Sequence, residues 1–268
     1  MPQLPPTAIG SLESQKAHRK AEAFAFGQAR TLADKAPLYM RRAKPDDFGI
    51  IERMINDAKK RLRDLGTDQW SDDEWPDNAG RGRMARVRYS IEKRNTWIAE
   101  LRIPLDAGVL MVPVATVTIE RKGSMVVWNE RERKMYPAVY LSRLVVAKGF
   151  TSFDIGASII DWAGRRGSKQ RNAASIRIDV WTTNTALHDY YLKRGFRDRG
   201  SVTDESYPAG RRFERPTAYD SGLKRPVLDG DRRQTMNGGM FTSARWARPV
   251  NRESLVSQPS FGESLIDA

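Results

Sequence analysis

The stretch that decides the fold is Asp179-Val-Trp-Thr-Thr-Asn-Thr-Ala-Leu-His-Asp-Tyr-Tyr-Leu-Lys-Arg-Gly-Phe196. Where it begins, residues 175–181 alternate the β-branched, apolar Ile176, Ile178 and Val180 with polar partners, the period of a strand. A helix follows at once. Asn184 is a good N-cap, because its side-chain oxygen can accept from an N–H of the first turn that has no partner inside the helix. Leu187 and Tyr191 lie one turn apart on one face, Gly195 supplies the stop, and Phe196 starts the return to the core. Working outward toward the amino terminus, residues 138–146 read as a second strand. A loop leads from it into a helix with Ile155, Ile159, Trp162 and Ala163 on one stripe. The order is strand, loop, helix, strand, helix, with both strands apolar enough for a central, buried position.

That order, with Asn184, Tyr191 and Gly195-Phe196 at their spacing, resembles the GNAT superfamily of acyl-CoA-dependent N-acyltransferases, and the resemblance spans residues 38–216. In the loop before the first helix the superfamily has Gln or Arg, two residues, Gly, one residue, then Gly or Ala. Here those places hold Thr151, Asp154 and Gly156, followed by Ala157, so the last glycine alone is kept. The resemblance implies an α/β (α+β) fold with a mixed, mostly antiparallel central sheet, a splayed parallel strand pair and flanking helices. It also implies an acyltransferase that moves an acetyl group from acetyl-CoA, as co-substrate, to a primary amine by direct attack and without a metal. The acceptor would be an amine-bearing small molecule, peptide or protein.

Such a transfer needs a phosphate cradle, a holder for the extended cofactor arm, a group that takes the amine's proton and an acid for the departing thiolate. The cradle falls to the free N–H groups and positive dipole end of the helix after Val146, at Asp154, Ile155, Gly156, Ala157 and Ser158, with Ser152 adding a hydroxyl. Gly156 lets phosphate approach the backbone closely. Asp154 carries the wrong charge for that task unless its carboxylate points sideways. The resemblance makes the strand edge at Leu144, Val145 and Val146 the holder, binding the amide-bearing arm in strand fashion and polarising the thioester carbonyl with an N–H. Tyr191 is the expected acid, since a tyrosine is protonated at pH 7, and Asn184 would hydrogen-bond the cofactor arm. Glu120, at the end of a central strand, is the first choice for the base and Glu100 the second. Over the acceptor pocket the resemblance places the acidic, aromatic stretch of residues 67–77. Trp70 and Trp75 could cover an amine there, and Asp73, with Asp72 and Glu74, could attract it.

Composition sets the outer bounds. The chain has 268 residues, 40% of them hydrophobic, enough for a real core. No apolar run is long enough to span a bilayer, and the start, Met-Pro-Gln-Leu-Pro-Pro, lacks the plan of a secretory signal, so the cytoplasm is the expected compartment and no membrane partner is expected. The absence of cysteine excludes disulfides and thiol catalysis, and two histidines make a histidine metal site a poor reading. The net charge of +13 would suit a polyanion. The arginines, however, are scattered, without a helix-turn-helix, zinc-finger or RNA-binding signature, so a basic surface and no specific nucleic acid are expected. Asp154 and the charge are what support the alternative, a non-catalytic CoA-binding regulator or a basic nucleic-acid-associated protein.

The remaining organisation is simple. Residues 1–36 read as an N-terminal extension with room for one helix, residues 37–216 as the acyltransferase-like domain, and residues 217–268 as a flexible tail, because Gly, Ser, Pro, Asn and Arg dominate and apolar residues stand singly. A helix over residues 45–65, a second over 81–93, paired strands over 96–101 and 108–120 and an extended hairpin connection over 121–134 fill the first half of the domain.

Overall fold

The alternation seen in the sequence builds one sheet, and the computed structural model describes it within residues 20, 23–70, 82–105, 108–204, 207–230 and 241–242. After a helix α1 over residues 23–32 come β1 (Leu38–Arg42), a 3-10 turn (Pro45–Asp47), α2 (Phe48–Asp64), α3 (Arg83–Glu92), β2 (Thr96–Leu105) and β3 (Gly108–Glu120). The second half holds α4 (Glu130–Met135), β4 (Ala138–Val146), α5 (Ile155–Arg171), β5 (Ser175–Val180), α6 (Thr185–Leu192), β6 (Arg197–Ser201), β7 (Arg211–Pro216), β8 (Val227–Asp229) and β9 (Phe241–Thr242). The strand order is β6-β7-β5-β4-β3-β2-β1-β8, with β9 on β3. The pairs β4–β5, β1–β8 and β3–β9 are parallel and the rest antiparallel. This is the mixed, mostly antiparallel sheet flanked by helices that the resemblance implies.

The two faces bury different stripes. On one, Trp97, Ala99, Val117, Ile119, Val139, Leu141, Ile176 and Ile178 meet Ile155, Ile159, Ile160 and Trp162 of α5. Helix α5 sits close because Gly167 faces Val139, whose methyl groups stand 2.8 and 3.0 Å from the position a Cβ would take. On the other face, Ile51, Met54 and Ile55 of α2 and Val87 and Ile91 of α3 cover Ile98 and Val145. Among the described residues no helix is long and apolar enough to cross a membrane.

Three boundaries differ from the sequence reading. Helix α1 belongs to the main core rather than to a separate extension: Ala25, Ala29 and Ala33 are buried in it, and Phe26 meets Phe150 edge-on at 4.8 Å. The β3–β4 connection is not an extended hairpin. It folds over the sheet through Val127 and a fully buried Trp128, then forms α4, capped by Asn129, whose side chain accepts from Glu132 N–H at 2.9 Å. The segment 217–230 is no tail. Tyr219 packs where a Cβ on Gly195 (φ +79°) would otherwise stand, and Arg225 donates to the carbonyls of Asp34, Ala36 and Phe153. Asp229 accepts from Trp162 Nε1 at 3.0 Å and from Arg166 at 2.9 Å, and β8 extends the sheet beside β1. Composition hid this strap because its contacts are single and long-range. Of residues 231–268, all but 241–242 lie outside the described residues.

The strap's contribution can be measured. Asp229→Ala leaves the buried indole N–H of Trp162 without its acceptor and should cost about 1–3 kcal/mol. The expected readout is a lower urea midpoint at unchanged slope; an unchanged midpoint would show that the strap is only draped over the sheet.

Candidate active site

The site is built where β4 and β5 part. Their parallel pairing runs from Ala138–Ser175 to Leu141–Ile178 and stops. From there β4 follows β3 to Val146, while β5 follows β7 to Val180. The cause lies in β4. Thr118 pairs with Ser142 and Thr116 with Val145, so Arg143 and Leu144 together oppose Val117, and Arg143 takes a φ of +50°. One extra residue kinks and twists a strand and reverses the facing of the residues beyond it. Val139 and Leu141 face the α5 side before the bulge, Leu144 and Val146 after it, and Val145 turns to α2 and α3. Among the described residues no strand pairs with β4 on its β5 side beyond Leu141, which leaves Leu144, Val145 and Val146 along an open edge.

At one end of this fork lies the first turn of α5. Asp154 occupies the N-cap position with φ +49° but makes no capping bond; its carboxylate turns aside to the Arg194 guanidinium at 2.8 Å. Ile155, Gly156, Ala157 and Ser158 are buried in the first turn, and Ser158 Oγ donates to the Asp154 carbonyl at 2.9 Å. Ser152 is exposed on the loop. At Gly156 a Cβ would lie 2.9 Å from the Tyr190 hydroxyl and 3.7 Å from Val146, so a side chain there would displace the tyrosine. Tyr190 therefore reaches the expected phosphate position, with the Arg194 guanidinium 3.9 Å from its ring centroid. Burial raises the pKa of its phenol.

Tyr191 comes from the same helix one residue later and points elsewhere. It is 9% exposed, edge-on to Phe196 at 5.3 Å and tilted over Phe213 at 6.1 Å. Burial pushes its pKa well up, so the phenol holds its proton. Its hydroxyl makes no hydrogen bond among the described residues, and the Asp179 charge bears on it. Asn184 caps α6 as its position predicts, accepting from Leu187 N–H at 3.0 Å. Its amide N–H is given to Gln69, and Thr183 bonds Asp68, so the segment after α2 is docked on the start of α6. Trp70 sits in that segment with the Arg83 guanidinium 5.3 Å from its ring centroid. Asp73 and Trp75 lie in residues 71–81, outside the described residues.

The two glutamates separate clearly. Glu100 is 6% exposed and held by Arg41, which also takes Asp47; burial raises its pKa against the pull of Arg41. That places it in a structural ion pair rather than at the fork. Glu120 ends β3 opposite Tyr140, and its charge bears on Arg143 and Asp179. Sequence reasoning missed the groups around it. Tyr207, in the β6–β7 loop, donates its hydroxyl to Asp179 Oδ2 at 2.6 Å. Burial raises the pKa of Asp179, with the Tyr207 bond pulling the other way. Arg143 is held by Thr118 Oγ1 at 3.2 Å and Ser90 Oγ at 2.8 Å, and burial lowers its pKa. The available signal was alternation: Asp179 falls on the strand face opposite Ile178 and Val180, one residue beyond the last parallel pair.

No family model matches the sequence. The chain is 26% identical over 172 residues to a Bacillus subtilis protein named uncharacterized N-acetyltransferase YesJ, a match that covers 64% of this chain and 87% of that one. Among solved structures, a GNAT family acetyltransferase from Listeria monocytogenes superposes with a TM-score of 0.51 at 20% identity, over 67% of this chain and 94% of the other. A GNAT family acetyltransferase from Streptococcus agalactiae gives 0.48 at 14% identity, over 67% and 95%. The likeness to the Listeria structure shows the fold, and this chain has the GNAT fold.

Asn184 tests how the two halves of the site are joined. Asn184→Ala removes the α6 cap and the bond to Gln69 together, and should cost about 1–2 kcal/mol, read from the thermal or urea midpoint. A loss confined to a few tenths would mean that the segment 67–70 is placed by other contacts.

Proposed function

We propose that this GNAT-fold chain is an N-acetyltransferase that moves an acetyl group from acetyl-CoA to a primary amine by direct attack. The observation that carries the reading is the fork itself: an open β4 edge, with a helix N-terminus containing Gly156 at one end and carboxylates at the other. The similarity to a protein named as an N-acetyltransferase points the same way.

On this reading the first turn of α5 and Ser152 take the pyrophosphate, with Asp154 drawn off by Arg194 so that its charge does not oppose the phosphates. The amide-bearing arm lies along Leu144, Val145 and Val146 in place of the missing strand, and Asn184 marks the other wall. A backbone N–H at the bulge polarises the thioester carbonyl and receives the oxyanion. The amine attacks the carbonyl carbon, a C–N bond forms, the C–S bond breaks, and Tyr191 donates its proton to the departing sulfur. Trp70 covers the acceptor. Glu120 adds negative charge that draws a cationic amine towards the fork, where the ammonium first gives one proton to water to free the lone pair that attacks.

Binding is tested by heating the protein with millimolar acetyl-CoA, which should raise its melting temperature, since a ligand specific to the native state stabilises it. Turnover is tested by free-thiol release with n-butylamine, spermidine, lysine amide and an N-terminally blocked lysine peptide. Tyr191→Phe should lower kcat by roughly 10² to 10⁴ and leave acetyl-CoA affinity within a few-fold. Tyr190→Phe, which removes the hydroxyl above Gly156, should instead raise the KM for acetyl-CoA and spare kcat. The absence of both a melting shift and thiol release would end the acyltransferase reading.

A further inference from the structure

We propose that Asp179 is the group that accepts the proton of the attacking amine, and that Tyr207 is the residue that positions it. The assignment rests on the acyltransferase reading and names the base within it.

Asp179 stands at the right place. It directly follows Ile178, the last residue of β5 paired with β4. Ile178 and Val180 are buried in the core on the α5 side, so Asp179 projects from the opposite face, at the crotch of the fork. Tyr191 approaches from the α6 side, close enough for the Asp179 charge to bear on its phenol. Acid and base thus flank the same opening from its two faces.

Its carboxylate is also oriented. The Tyr207 hydroxyl fixes Oδ2 at 2.6 Å, while Oδ1 makes no hydrogen bond among the described residues. The wholly buried Trp128 Nε1 has no hydrogen-bond partner among the described residues and leans on the same carboxyl at longer range. Asp179 is half-buried as a residue. The alternatives lack one property or the other. Glu100 is committed to Arg41. Glu120 ends β3, one strand away from the fork, and no hydrogen bond among the described residues orients its carboxylate.

The protons balance. The amine nitrogen gives its lone pair to the carbonyl carbon, the C–S bond breaks, and the sulfur takes the Tyr191 proton. The ammonium proton of the new C–N centre passes to Asp179 Oδ1, and exchange with water returns a proton to Tyr191 and removes one from Asp179. The products are the amide and the free thiol. Asp179 must be ionised to act, so kcat/KM falls on the acid side. Burial is the largest influence on that limb and raises the pKa; the Tyr207 hydroxyl, the Trp128 N–H and Arg143 from β4 lower it, Glu120 from β3 raises it, and Arg212 of β7 stands opposite Asp179 in the register. Tyr191 is the neutral neighbour on α6. Because donation to a carboxylate favours the charged form, removing the Tyr207 hydroxyl should move the limb up.

The test uses the full chain, acetyl-CoA and the fastest amine of the panel above. Asp179→Asn should lower kcat by roughly 10² to 10⁴ while the acetyl-CoA melting shift persists. Tyr207→Phe should lower kcat less and shift the acid limb of kcat/KM to higher pH. Wild-type turnover by Asp179→Asn, or an unmoved limb in Tyr207→Phe, overturns the assignment and leaves the acyltransferase reading standing. Absence of thiol release and melting shift in the wild type removes both. Should Asp179→Asn fail to fold, the limb of Tyr207→Phe decides.

Discussion

The architecture of the site depends on one backbone event, the extra residue that β4 carries at Arg143. A non-glycine residue in the left-handed region costs on the order of 1–2 kcal/mol, and the bonds of the Arg143 guanidinium to Thr118 and Ser90 hold it there. In return β4 bends away from β5. That bend opens the main chain of Leu144 to Val146, turns Val145 towards α2, and leaves Asp179 at the point of divergence. A straight β4 would pair with β5 to its end and have no room for a ligand arm. The fork is therefore a consequence of register, and the side chains around it exploit an opening they do not create.

Arginine gives the fold a second framework beneath the apolar one. Arg215 is 1% exposed, bonds Asp161 at 2.8 Å and lies between the rings of Phe196 and Tyr219. Arg177 reaches Glu214, Tyr140 and the carbonyl of Glu132, and its guanidinium lies 5.0 Å from the Trp128 ring centroid. Arg41 joins Glu100 to Asp47. Planar, multiply donating guanidinium groups tie strands to loops in ways a lysine could not. These three arginines are matched by Asp161, Glu214, Glu100 and Asp47, so they cancel within the fold and the net charge of +13 is carried by other residues.

What was legible in the sequence was local. Alternation in β5, the Asn184 cap and the stripe of α5 are each written within a few residues, and the structure places them as read. The two tyrosines of α6 were separable only by register, and packing sends Tyr191 to the core rim and Tyr190 to Gly156. Asp179, by contrast, looked like any polar residue of an alternating strand. Its surroundings come from Tyr207 in a distant loop and Glu120 two strands away, and no periodicity encodes such a meeting. The same holds for Glu100, whose partner Arg41 lies on another strand. The segment 217–230 was unreadable for a related reason: each of its anchors is an isolated residue whose partners are distant in sequence, and composition averages such residues into a linker.

That strap also bears on how the chain reaches its native state. Arg225 binds the carbonyl of Ala36 across 189 residues, and β8 pairs with β1, the first of the described strands. Contacts of such separation carry the largest loop-closure entropy and weigh most heavily on folding rate. A nascent chain emerging from the ribosome can assemble α5, β5 and α6 from neighbouring segments. It must then keep the free edge of β1 unpaired until nearly all of the domain has been synthesised. An unpaired strand edge is a template for association with other chains, so the short, late-made β8 moves the sheet's edge from the five-residue β1 to a three-residue strand.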